Sequence, residues 1–238
     1  MVETSARFEE LRIPLPDPVQ GLRDVSAVLG TPRWWPTGAR VGVVLAHDSG
    51  SDIADPMLVH LHEQLTESRC LSLRFNFPFA EAERRRPDPP QVLRRTLRAA
   101  VEVLARDPAG APANLFLLGL GLGARAAADL AAARLRVDGL VFLAFPLHPP
   151  DRPDQAQADQ LFRAVSPILF VQGDRDRRCD LPTLQRLLGR VGAPTALHTV
   201  READHQFRAL KKSGRIGEEI RGEVFAVVSS WIQKVVGA

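Results

Sequence analysis

Residues 115–123 read Leu115-Phe116-Leu117-Leu118-Gly119-Leu120-Gly121-Leu122-Gly123, and Ala124-Arg125-Ala126-Ala127-Ala128-Asp129-Leu130 follows. An apolar strand enters a Gly-x-Gly-x-Gly turn, and a small-residue helix leaves it. Such a sharp strand–turn–helix can hold a nucleophile at its apex, as in Gly-x-Ser-x-Gly. Here the apex is Gly121, which has no side chain to attack with. The turn is present and the reactive atom is missing.

Working outward, apolar strands alternate with helices on both sides of this turn. The pattern predicts early strands at Phe8–Leu15 and Leu22–Leu29, parted by a Pro-rich turn, and a loop at 32–38 that carries Trp34 and Trp35. Further strands are expected at Arg40–Ala46, Cys70–Phe75, Asn114–Leu118, Gly139–Phe145, Pro167–Val171 and Thr195–Val200. Helices are expected at Pro56–Thr66, Gln91–Ala105, Leu122–Leu135, Leu181–Val191 and Glu218–Val236. Strands that are apolar throughout, each followed by a helix, imply a mostly parallel sheet covered on both faces. The expected fold class is α/β. No repeat or linker divides residues 1–238, so a single domain is expected.

Composition narrows the function classes. The hydrophobic fraction of 45% and charged fraction of 25% belong to a globular chain rather than a disordered one. The pI is near 9.4, yet the formal charge is only +3 and the signs are mixed along the chain. No nucleic-acid-binding block is visible, apart from the short Arg84-Arg85-Arg86. The N-terminus lacks an apolar signal segment, and no apolar run reaches the length of a membrane span. Two cysteines, Cys70 and Cys179, give no disulfide framework, so a reduced cytoplasmic setting is expected. Cys70 reads as a small buried residue, and Cys179 as part of a polar loop. His60 and His62 are two apart on a helix and point to different faces, which disfavours joint metal ligation. No metal or cofactor is expected.

Ligands of such sheets bind beyond the carboxyl ends of the strands. There the chain places His47-Asp48-Ser49-Gly50, then Gly121, then Asp176, then His205. The order is elbow, acid, histidine. Several stretches resemble the small α/β-hydrolases that include the testis-expressed and dienelactone-hydrolase-like proteins. They are Leu73-Arg74-Phe75-Asn76-Phe77-Pro78, Phe145-Pro146-Leu147-His148-Pro149-Pro150, Phe170-Val171-Gln172-Gly173-Asp174-Arg175-Asp176, Asp204-His205 and Lys212-Ser213-Gly214-Arg215. The resemblance spans roughly residues 40–235. It implies an α/β-hydrolase fold, with Asp176 as triad acid and His205 as triad base. It also implies Leu122 as one oxyanion N–H donor and Ser49 or its neighbour as the other.

Two departures stand out. Gly121 replaces the serine, and Asp48 stands where the family's His-Gly-x-Gly has glycine. A carboxylate beside an oxyanion pocket opposes the charge that pocket must stabilise. Covalent acyl transfer needs an oxygen or sulfur at the elbow, so a non-hydrolytic protein that binds a small molecule or a protein partner is expected. His205 and Asp176 then serve a ligand site or remain as a structural hydrogen bond. A second reading keeps hydrolysis through Ser49, Cys179 or a water activated by His205. A third takes Gly119-x-Gly121-x-x-Ala124 as a dinucleotide fingerprint, although strands precede it and no ribose-binding acid ends the next strand. Arg84, Arg85, Arg86, Lys211, Lys212 and Arg215 lie in loops expected to leave the same sheet edge. They form a candidate anion-binding rim or are solvated loop charge.

Overall fold

The computed structural model describes residues 6–33, 40–106 and 111–237. The loop containing Trp34 and Trp35 therefore lies outside the described residues. Eight strands form one sheet in the order β1-β2-β4-β3-β5-β6-β7-β8. These are β1 (Arg7–Val19), β2 (Leu22–Thr31), β3 (Val41–Ala46), β4 (Cys70–Phe75), β5 (Asn114–Leu120), β6 (Gly139–Leu143), β7 (Ile168–Gly173) and β8 (Thr195–Val200). Neighbours from β4 to β8 pair in parallel, while β2 pairs antiparallel with both β1 and β4. This is the mostly parallel sheet that the alternating pattern predicted, in the α/β-hydrolase fold that the resemblance implied.

The helices are α1 (Pro56–Glu67), the short α2 (Pro78–Glu81), α3 (Pro90–Ala105), α4 (Leu122–Ala132), α5 (Leu181–Leu188) and α6 (Gly217–Val236). Every residue of β3, β6 and β7 is buried, because both faces of the sheet are covered. One layer packs α3, α4 and α5 against Val44, Leu117, Phe142 and Phe170. The other packs α1 and α6 against Val43, Leu118, Val141 and Leu169. Alternation along each strand sends neighbours to opposite layers, so two cores share one sheet.

The first hairpin corrects one expectation. The prolines do not make the turn: β1 runs through Pro14, Pro16 and Pro18, and the chain reverses at Gln20 and Gly21. This strand is the sheet edge, where a missing N–H costs no ladder bond, and its pairing is irregular between Pro14 and Val19. The helix begun at Leu122 ends at Ala132 rather than Leu135, with Arg134 at φ 65°.

Local chemistry fixes the helix starts. Asp55 caps α1, its side chain accepting from the amides of Met57 (2.9 Å) and Leu58 (3.2 Å), and Pro56 occupies the first turn. Asp180 caps α5 through the Thr183 amide at 2.9 Å. Among the described residues, no helix is long and apolar enough to cross a membrane. From β3 the sheet extends through β4 to one side and β5 to the other. The switch point for a ligand therefore lies beyond the ends of β3 and β5.

Candidate functional site

Asp48 follows β3 and Gly121 follows β5, so the switch point brings them together. Gly121 has φ 53° and ψ −113°, a conformation that glycine adopts with least cost. Its amide donates to the Leu143 carbonyl at 2.9 Å, which ties the turn to β6. The turn is also tight against its helix: a Cβ at Gly119 would overlap the backbone of Ala124. Gly121 offers no side chain to cap α4.

Asp48 supplies that cap from the neighbouring loop. Its Oδ1 accepts from the Leu122 amide at 2.7 Å. A carboxylate at a helix N-terminus is favoured both as hydrogen-bond acceptor and by the helix dipole. A Cβ built on Gly121 would overlap Oδ1 and Cγ of Asp48 and stand 2.9 Å from its Cβ. The Asp48 carboxylate thus occupies the space where an elbow side chain would begin, and it engages the amide that the resemblance assigned to an oxyanion. The sequence placed this charge beside the pocket; the structure places it inside.

The loop that carries Asp48 is braced by His47. This ring is fully buried, donates from Nδ1 to the Asp48 carbonyl at 2.8 Å and accepts from the Phe77 amide at Nε2, 3.0 Å away. Phe77 and Phe79 pack on its edges. Burial holds its pKa below the ordinary value and keeps it neutral, which fits the one-donor, one-acceptor pattern. Sequence reading quoted His47 only as part of a loop and missed this role.

His205 stands between two carboxylates. Its Nδ1 donates to Asp176 Oδ2 at 2.7 Å, and its Nε2 lies 3.5 Å from Asp48 Oδ2, an ion pair beyond hydrogen-bonding geometry. Asp176 is held in turn by Gln172 Nε2 at 2.6 Å and by the Arg178 amide at 2.8 Å. Gln172 is the penultimate residue of β7, four before Asp176, and that spacing was its only sequence signal. Burial alone would lower the His205 pKa, but Asp176 and then Asp48 overcome it and push it up to about 9. Burial likewise opposes the Asp48 charge, but His205 and the amides of Leu122 and Ser49 hold its pKa at about 2. At neutral pH the site therefore contains an imidazolium between two carboxylates, rather than a neutral imidazole ready to take a proton.

The other candidates lie as follows. Ser49 is half-buried, and its amide helps to hold Asp48 charged. Cys179 lies in the polar loop after β7, as expected, but is buried there, and burial pushes its thiol pKa up. It is a poor nucleophile. Cys70 is buried too, with its pKa pushed up to about 12. His62 is buried with Nδ1 2.8 Å from Ser72 Oγ, whereas His60 faces Phe225 of α6, so the pair does diverge. Among the described residues, no cluster of three His, Cys, Asp or Glu is placed to hold a metal ion.

A cavity of about 650 Å³ opens over Asp48 and His205. Of the expected basic rim, Arg215 lines it; Arg208 and Arg221, which the sequence did not single out, line it as well. Arg85, Arg86 and Lys212 are exposed and do not line it, and Lys211 lies in the short helical turn Lys211–Ser213. Arg84 pairs with Asp88 at 2.7 Å. Asp88 lines a separate cavity of about 320 Å³ between β1 and α3, so this loop turns to that side instead of to the elbow.

Known proteins share this architecture. A serine hydrolase homologue from Coxiella burnetii is 20% identical with a TM-score of 0.71, over 92% of this chain and 96% of that one. A dienelactone hydrolase from Anabaena variabilis is 20% identical with a TM-score of 0.73, over 97% and 98%. A serine hydrolase without lid from Xanthomonas campestris is 21% identical with a TM-score of 0.69, over 96% of each chain. At these identities the likeness is one of fold. Residues 39–233 match the family described as Alpha/beta hydrolase domain, and the chain therefore belongs to that family.

Proposed function

We propose that this chain is an α/β-hydrolase-fold protein without serine-hydrolase activity, and that its vacated active site binds a small molecule in the cytoplasm. Within the superfamily we assign it to the testis-expressed and dienelactone-hydrolase-like branch, on the motifs quoted above. The single observation that carries the functional reading is the Asp48 carboxylate on the Leu122 amide, against Gly121. Three requirements of acyl transfer fail together. The elbow has no nucleophile, a fixed anion takes the oxyanion donor, and His205 is already protonated. In this reading Asp176 and His205 are the family's acid and base positions, retained to hold Asp48.

The same carboxylate opposes the dinucleotide reading, since a pyrophosphate at the start of α4 would meet a negative charge. It also weighs against a water activated by His205, because an imidazolium cannot act as base. The expected outcome is that the protein hydrolyses short p-nitrophenyl esters no faster than its His205→Ala variant, and that a fluorophosphonate probe adds no mass. Robust turnover that disappears in Ser49→Ala would overturn this reading and show a relocated nucleophile.

A further inference from the structure

The two edges of the sheet are guarded differently. At one edge β1 carries Pro14, Pro16 and Pro18, together with Arg7, Glu9, Glu10 and Arg12. Prolines and charges keep an edge from pairing with another chain. At the other edge β8 reads Thr195-Ala196-Leu197-His198-Thr199-Val200, with no proline and no Lys, Arg, Asp or Glu. Among the described residues, β8 pairs only with β7. In that parallel ladder the Ile168 amide donates to the Pro194 carbonyl, and the Asp174 amide to the Val200 carbonyl. This phase turns the N–H and C=O of Ala196 and His198 inward to β7, and those of Thr195, Leu197 and Thr199 outward. An unpaired outward row is a template for another strand.

Beside this edge an open groove of about 450 Å³ lies between β8 and α6, with Ala196, His198, Ala226, Ser230 and Trp231 on its walls. Ala226 and Ser230 are exposed on α6 and small, so another helix can come close to this face. The charges of α6 are separated along its length: Glu218 and Glu219 lie in the first turn and Lys234 in the last. Glu218 and Lys234 stand at equal distances on either side of Ala226, about 12 Å each way along the helix.

We propose that the chain forms a two-fold symmetric dimer by antiparallel pairing of β8 with β8 of a second copy, the two α6 helices packing across the same axis. The surface is complementary to itself, as such an interface requires. With Leu197 on the axis, Leu197 meets Leu197 of the second copy, and Thr195 meets Thr199. Every outward group is then used, in about six hydrogen bonds. Moving the axis to Ala196 or His198 leaves one outward residue of each copy unpaired. The register on Leu197 also sets small Ala196 opposite the larger His198 ring on the α6 face. The axis makes the two α6 helices antiparallel, which brings Lys234 of one copy opposite the acidic first turn of the other. No residue of β8 lines the cavity over Asp48 and His205, so the dimer is independent of the ligand-binding reading above.

The test is sedimentation velocity of the full chain over a concentration series, with amide hydrogen exchange followed by NMR. A dimer is expected, with a dissociation constant below about 100 μM. Exchange at Leu197 should slow at least about tenfold as the dimer fills, because its N–H has no partner in the monomer. Ala226→Arg sets a long charged side chain on the exposed helix face, and Thr199→Pro removes an outward N–H. Each should raise the dissociation constant at least about tenfold. Ala226 is exposed, so Ala226→Arg keeps the proposal testable even if Thr199→Pro fails to fold. Glu9→Arg, on the guarded β1 edge, should change nothing. A monomer throughout, or a dissociation constant above about 100 μM, would overturn the proposal. So would a dimer that Ala226→Arg leaves intact, or one that Glu9→Arg abolishes.

Discussion

The double substitution Gly121→Ser with Asp48→Gly is expected to gain fluorophosphonate labelling and esterase activity, whereas Gly121→Ser alone gains almost none. A serine Cβ at position 121 overlaps the Asp48 carboxylate, so the single variant must push that group aside or distort the elbow. Even if displaced, the charge stays near the developing oxyanion and keeps His205 protonated. Replacing Asp48 by glycine removes the clash and releases the Leu122 amide. It also takes away one of the two carboxylates that raise the His205 pKa. His205 can then accept the serine proton, with Asp176 still on its other nitrogen. Recovering an oxyanion donor and a functioning base is expected to place the double variant on the order of 10²–10³ above the single in kcat/KM. The measurements are p-nitrophenyl acetate turnover and intact mass after probe treatment, at matched folded fraction. If the single variant equals the double, Asp48 does not control the oxyanion site.

The same contact predicts a large, coupled effect on stability. Gly121→Ala should destabilise the protein by about 3–5 kcal/mol. Roughly 1–3 of this comes from a Cβ at positive φ. The rest comes from displacing the Asp48 cap and leaving the Leu122 amide without its partner. In the Asp48→Gly background the overlap is gone, so the alanine should cost only the backbone share, about 1–3 kcal/mol. The non-additivity, read by urea denaturation of the two single variants and the double, should be about 2 kcal/mol. Equal costs of Gly121→Ala in both backgrounds would show that the two residues are not in contact.

Much of the fold was legible because its signals are local. The apolar runs at Val41–Ala46 and Cys70–Phe75 allow little besides buried strands, and the start of α4 is written into the glycines that precede it. The β1 hairpin was misplaced because proline at a sheet edge has the same spelling as proline in a turn. Only pairing to β2 decides between them. At the site, Asp176 and His205 could be assigned from their order along the chain and from the resemblance, and they do meet. What the sequence could not show was the direction in which Asp48 points. That depends on His47 bracing the loop and on α4 arriving from β5 with a free amide, contacts that span many residues. Arg208 and Arg221 escaped notice for the same reason. They lie on different elements and share a wall only after the last helix packs.

The charges at this site also fix its response to pH. His205 is raised from its ordinary 6.5 to about 9, so its stabilising contribution is complete below pH 6.5 and is lost as pH rises through about 9. Asp48 is lowered from 3.8 to about 2, so its contribution is complete above pH 3.8 and is lost as pH falls through about 2. Both contributions are complete between those ordinary values. The central claim, that a charged Asp48 fills the site of the missing nucleophile, is tested most directly by NMR titration of the His205 ring in the unmodified protein and in Asp48→Asn. The account predicts a midpoint near 9 in the unmodified protein and a clearly lower one in the variant. A midpoint near 6.5, unchanged by Asp48→Asn, would contradict it.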